Sequence, residues 1–160
     1  MNVRDVIKSP KSITDSGVWA DGTMRKSAFP LSKSGSKAYR LGNRRWRVVR
    51  FEAHGMAFRL LINYHPMLLQ YQAILGAEVG GDTRVLAFLE HHPSHKSWHV
   101  HVCCDSIESV PLGIKRGPWF KNMGGCGPKH HMEAPTSDDT AFTRAVSFFR
   151  LDKRDAGLRV

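Results

Sequence analysis

Cysteine is scarce in this chain: Cys103, Cys104 and Cys126 are the three it has. Two are adjacent and the number is odd, which excludes a disulfide framework and points to a reducing cytoplasm. Apolar runs of membrane-spanning length are missing, so no membrane partner is expected. The opening "MNVRDVIKSPKSITDSG" has no apolar leader region. No internal repeat or heptad recurs. Acidic residues are few where basic ones are dense. Residues 1–50 carry twelve Lys and Arg against three Asp, while residues 51–160 carry twelve against eleven. Nine of the ten net positive charges therefore sit in the N-terminal third. That asymmetry points to a polyanion, above all nucleic acid. A solvated basic face is the alternative.

What is present fits one domain with a real core, at 160 residues. Residues 1–45 read as a basic, partly flexible arm, with "FPLSKSGSKAYRLGNRR" as its densest part. Residues 46–160 read as a single α+β domain. Within it, "WRVVRFEA", "AFRLLINYH", "TRVLAFLEHH" and "SWHVHVCCD" have strand character. Apolar positions 67, 68, 71, 74 and 75 in "MLLQYQAILGAEV" have helical spacing, and Gly80 and Gly81 follow. Residues 109–137 are rich in Gly and Pro and read as a flap. Helix-start residues at 136–139 precede "AFTRAVSFFRLDKR". The expected fold is an antiparallel sheet with helices packed on one face.

Inside "HHPSHKSWHVHVCCD" two histidines stand where a strand usually carries apolar residues. Strand alternation puts His99, His101 and Cys103 on one face, and Trp98, Val100, Val102 and Cys104 on the core side. Two imidazoles at this spacing can chelate one divalent ion if the neighbouring strand adds a third ligand. A four-residue loop over 94–97 pairs His92 with His99 and Glu90 with His101. A five-residue loop over 93–97 puts His91 opposite His99 and a leucine opposite His101. The first register makes chemical sense. It makes His92 the third ligand and Glu90 a further ligand or a group supporting the ligands from behind.

The spacing of His92, His99 and His101 resembles the metal motif of the HUH endonucleases, and among them the plasmid relaxases. Val100 stands for the bulky residue between the paired histidines, and Ser94 stands where relaxases usually carry Asp. The resemblance covers about fifteen residues directly. It implies a two-layer, ferredoxin-like sandwich and a divalent ion, Mg or Mn, with Zn as an alternative. It also implies a tyrosine that attacks single-stranded DNA to form a 5′-phosphotyrosyl link. No Tyr follows Tyr71, so a nucleophile downstream of the histidines is excluded. Tyr39, ahead of the motif, is the first candidate and Tyr64 the second. His65 and His54 are further candidates, and Tyr71 reads as core.

Around this motif, Arg40, Arg44, Arg45 and Arg47 form the strongest phosphate-contacting stretch. The alternative for that stretch is a charged edge strand. Lys115, Arg116, Trp119 and Lys121 form an aromatic-plus-basic surface of the kind that stacks unpaired bases. For Trp119 the alternative is a flap anchor. Cys126, His130 and His131, with Cys103 or Cys104, could be drawn as a zinc site, though their spacing matches no common finger. Three functions stay open. They are metal-dependent single-stranded DNA nicking and strand transfer, an inactive nucleic-acid-binding module of the same fold, and a phosphoesterase using histidines as acid and base on RNA or a nucleotide.

Overall fold

The computed structural model describes residues 1–34, 38–94, 97–124, 128 and 132–151. His95, Cys126, His130 and His131 lie outside the described residues, and so does the zinc arrangement drawn on the last three. In chain order the elements are α1 (Val3–Lys8), β1 (Ser12–Asp15), β2 (Ala20–Arg25), β3 (Ala38–Ala53), β4 (Met56–His65), β5 (Gln70–Val79), β6 (Asp82–His92), β7 (Ser97–Cys103), β8 (Phe120–Asn122) and α2 (Asp138–Phe149). The eight strands form one antiparallel sheet in the order β1-β3-β4-β5-β6-β7-β8. The second strand, β2, pairs with the N-terminal half of β3.

Local chemistry explains the main elements. His54 and Gly55 both take positive φ, which closes the tight β3–β4 turn. Leu69, Gly80 and Gly81 do the same at the ends of β5. The second helix, α2, starts at a capping box in which Ser137 and Thr140 exchange side-chain-to-backbone bonds. Asp138 and Asp139 sit in its first turn, where the helix dipole favours negative charge. It ends where Arg150 turns left-handed at φ 52°. Its buried stripe of Ala141, Phe142, Ala145, Val146 and Phe149 packs in one core with Val3 and Val6 of α1 and one face of the sheet. Both helices therefore cover the same face, as expected, although helix is sparse and the sheet dominates.

The opposite face carries a second, smaller core. Leu61, Ile74, Val85 and Phe88 project from the strands, and Met24, Phe29 and Leu31 cover them. This two-sided burial corrects the helix expected over 67–79. The region is a turn followed by β5. Tyr71, Ala73, Leu75 and Ala77 face the helices while Ile74 faces the second core. With both faces covered, the alternation of a half-buried strand is erased, and the apolar run that remains imitates helical spacing.

The basic arm is also corrected. Within residues 1–45, α1 contributes to the large core, β1 and β2 pair with β3, and Met24, Phe29 and Leu31 are buried. The boundary drawn at residue 45 falls inside β3, because the polar composition of this segment hid its few deeply buried apolar anchors. The described part of the flap is tied down as well. The Gly113 N–H donates to the Thr83 carbonyl at 2.9 Å, Met123 N–H to Val100 at 2.8 Å, and β8 pairs with β7. Among the described residues no helix is long and apolar enough to cross a membrane.

Gly76 sits at the β5–β6 bulge, beneath Phe29 of the second core. A Cβ there would overlap the Thr83 methyl and press on the Phe29 ring at 3.0 Å. Gly76→Ala is expected to lower stability by about 1–3 kcal/mol. Chemical denaturation should show this as a lower midpoint with an unchanged slope.

Candidate functional site

Register builds the site. Trp46 pairs with Asn63, Asn63 with Gln72, Gln72 with Glu90, and Glu90 with His99, in one row across β3 to β7. The next row on the same face is Val48, Leu61, Ile74, Phe88 and His101. The second core thus ends abruptly, and the row beyond it turns polar. Glu90 is opposite His99 rather than His101, and His92 is opposite Ser97. The β6–β7 connection therefore spans 93–96, two positions away in register from the expected pairing. A shift of two preserves the face. His92 stays on the side of His99 and His101, while His91 is buried on the helix side against Trp98.

Glu90 is the centre of this face. The residue is 3% exposed. Gln72 Nε2 donates to Oε1 at 2.5 Å, and Arg116 Nη2 donates to Oε2 at 2.6 Å. His92 Nε2 and His101 Nε2 lie 3.6 and 3.8 Å from that same Oε2. The His99 ring is 5.5 Å from that of His92 and 6.4 Å from that of His101. Arg116 is delivered by the segment before β8 and lies 4.7 Å over the Phe88 ring. The other end of the row is held by Arg44, which donates to Asn63 Oδ1 at 2.7 Å and Gln70 Oε1 at 2.5 Å. Asn63 Nδ2 in turn donates to Gln72 Oε1 at 3.4 Å. Every donor in this chain of bonds points toward Glu90.

The charge states follow. Burial pushes the Glu90 carboxyl up, but the bonds from Gln72 and Arg116 and the charge of Arg116 more than offset it, so it stays below the usual carboxylate range. Burial, helped by the charge of Arg116, holds His101 below its ordinary value of 6.5 and outweighs the pull of Glu90. At neutral pH His101 is a neutral imidazole.

The tyrosines lie elsewhere. Tyr39 donates its hydroxyl to the Phe29 carbonyl at 2.9 Å, and burial pushes it up to about 12. Tyr64 is on the helix face and donates to Asp138 Oδ1 at 2.7 Å; burial and that carboxylate likewise push it up to about 12. Tyr71 is fully buried and bonds the Ala141 carbonyl. None of the three is brought to the histidines. His65 Nδ1 accepts the Met67 and Leu68 N–H groups and shapes the β4–β5 turn.

Strand alternation also divides the basic residues. Arg45 forks onto Asp138 with two bonds of 2.6 Å, and Arg47 donates to the Ser16 carbonyl and lies 4.1 Å over Phe142. Both work on the helix side. Arg116 is bound to Glu90, Arg44 sits at the far end of the same amide relay, and Lys115 is exposed in the segment before β8. Arg40 and Lys121 are exposed on their strands. Trp119 is half-buried, its ring lying against Gly117 and the large core, as an anchor would. Cys103 is buried in the large core and Cys104, just past the end of β7, is exposed, the reverse of the sequence expectation.

Three imidazoles and a carboxylate are a suitable donor set for a divalent ion. Among the described residues, however, no three His, Cys, Asp or Glu side chains are grouped so as to hold one. Arg116 takes the Glu90 oxygen that an ion would need, so a metal requires Arg116 to move aside. Asn63 and Gln72 were missed in the sequence. Their signal is a polar pair two apart on each side of the turn in "INYHPMLLQYQ", Asn63 with His65 and Gln70 with Gln72, which becomes visible once the segment is taken as a hairpin. Comparison with protein-family models, with curated proteins and with solved structures returned no match.

The linkage sign can be tested. Glu90 is held below its ordinary value of 4.5, so its contribution to stability is fully present above that pH and is lost as pH falls through the folded value. Glu90→Gln is expected to be less stable than wild type by about 1–3 kcal/mol at neutral pH. The gap should close in acid. A gap independent of pH would show that the charge contributes nothing.

Proposed function

We propose that this face cleaves RNA phosphodiesters by general acid–base catalysis, with His101 and His92 as the proton-transferring pair. The observation that carries the reading is one buried carboxylate, Glu90, flanked by two imidazoles and capped by Arg116. Neutral His101 takes the proton of a ribose 2′-hydroxyl. The freed oxygen attacks the adjacent phosphorus and the bond from phosphorus to the 5′-oxygen breaks. His92 gives its proton to that leaving oxygen, so the products are a 2′,3′-cyclic phosphate and a 5′-hydroxyl. Arg116 offers donors to the phosphate oxygens while Glu90 keeps it in place. Glu90 also balances the imidazolium that the first transfer creates on His101 and the one that His92 carries until it gives up its proton. The excess of basic residues supplies attraction to a polyanion. Free Cys103 and Cys104 suit the cytoplasm.

A second reading is metal-dependent nicking of single-stranded DNA by a two-layer, ferredoxin-like HUH domain. It is favoured by the placement of His92, His99 and His101 on one face beside Glu90. There a divalent ion would be held by these four side chains and would polarise the scissile phosphate. The position of the tyrosines weighs against it.

One set of assays separates the two. Single-stranded RNA incubated with the protein and EDTA should yield cyclic-phosphate ends, and the 2′-deoxy counterpart should remain intact. His101→Ala should lower the rate about 100- to 10,000-fold. The wild-type rate should fall on the acid side, below the ordinary histidine value of 6.5, as His101 gains its proton. A denaturation-resistant protein–DNA adduct formed with Mg or Mn would favour the second reading. Binding without cleavage of either nucleic acid would reduce the face to a recognition module.

A further inference from the structure

The helix side of the sheet holds a groove that the histidine face does not use. One cavity, of about 510 Å³, lies between α1, β7 and the end of α2. Its apolar lining is Ile7, Val100, Val102, Met123 and Phe148. A second, of about 480 Å³, shares Ser147 and Arg150 with the first and reaches Thr143 and Lys11. Helical spacing explains the walls. Arg4, Ile7 and Lys8 lie three and four apart on α1, as do Thr143, Ser147 and Arg150 along α2 and its cap, so each helix turns one stripe to the groove.

Charge in the groove is of one sign. Arg4, Lys8 and Arg150 line the first cavity and Lys11 and Arg150 the second, and among the described residues no Asp or Glu lines either. None of these four cations makes an ion pair among the described residues. Lys11 is 5% exposed, and its ammonium donates to the Ile7 and Ser9 carbonyls at 2.9 Å each. Both acceptors are neutral, and an ammonium has a third donor to give. Burial, with the charge of Arg150 behind it, pushes Lys11 down to about 8. A buried cation in this position is unfavourable until an anion completes it.

Shape and charge together specify the ligand. Each volume falls within the roughly 300–1,000 Å³ of small-molecule sites. An apolar floor on one side of Arg150 and a cationic end on the other suit a molecule with an apolar body and an anionic head. We propose that this groove binds a single-chain aliphatic carboxylate, its chain over Val100, Val102 and Phe148 and its head at Arg150 and Lys11.

Calorimetric titration of the full chain with octanoate, decanoate and decanol tests the site. Decanoate should bind one to one, and octanoate about 15-fold more weakly, since each buried methylene is worth about fourfold in affinity. Ser147 and Arg150 are exposed, so variants there spare the fold. Ser147→Trp should fill the groove and abolish decanoate binding. Arg150→Asn, which tolerates the left-handed turn at φ 52°, should weaken decanoate about tenfold and leave decanol unchanged. Equal binding of decanoate and decanol to wild type, equal binding of the two chain lengths, or undiminished binding by Ser147→Trp would overturn the site. So would binding confined to phosphatidylglycerol vesicles, which would make this face a membrane contact. Binding seen only in Asp152→Asn/Asp155→Asn would also overturn it, because the chain's own following segment would then be the occupant. None of the varied residues lies on the histidine face, so the result is independent of the RNA reading.

Discussion

A carboxylate buried among sheet residues sets the terms for everything around it. Ionised Glu90 costs several kcal/mol to desolvate unless charges and donors surround it. The protein meets that cost from two directions. Along the sheet, an amide relay from Arg44 through Asn63 and Gln72 delivers an aligned N–H to one oxygen. From above, Arg116 delivers a charge-assisted bond to the other. Polar residues in three neighbouring strands, and the path of the segment before β8, are fixed by this one requirement. The polar row and the apolar row beside it are the same pleat read one step apart, which is why the charged face begins where the second core stops.

The same carboxylate links structure to reactivity. The groups that keep it ionised also hold it beside His92 and His101, and Arg116, which stabilises it, is half-exposed and so able to meet a ligand as well. Burial and Arg116 together hold His101 neutral, which is the state a proton acceptor needs.

Some of this was legible in the sequence. The alternation of His99 and His101 with Trp98 and Val100 gave the face, while the four-residue connection was expected one residue too late in the chain, which moved the register by two. A shift of two leaves every side chain on its own side, so His92 kept its face while both it and Glu90 changed partners. The strand at 70–79 was not legible as such. Burial on both faces removes the two-residue period, and Met67 to Leu69, which completed the helical pattern, are exposed turn residues. The N-terminal segment misled for the opposite reason. Its composition is that of a solvated tail, while Val3, Val6, Met24, Phe29 and Leu31 do the anchoring. Charge density also said little about which arginines face a ligand. Arg44 and Arg45 are neighbours in sequence and work on opposite sides of the sheet.

The joint between α2 and the sheet carries a kinetic consequence. Asp138 receives the fork of Arg45 and the hydroxyl of Tyr64, partners 93 and 74 residues away along the chain. Phe142, Val146 and Phe149 behind it cover strands made long before. During synthesis the meander can form hairpin by hairpin, since each strand from β4 to β7 pairs with the one just completed. Its larger apolar face must nevertheless wait, open, until α2 arrives. Such distant closure slows the final step and leaves a sticky intermediate whose lifetime is set by helix docking rather than by strand pairing.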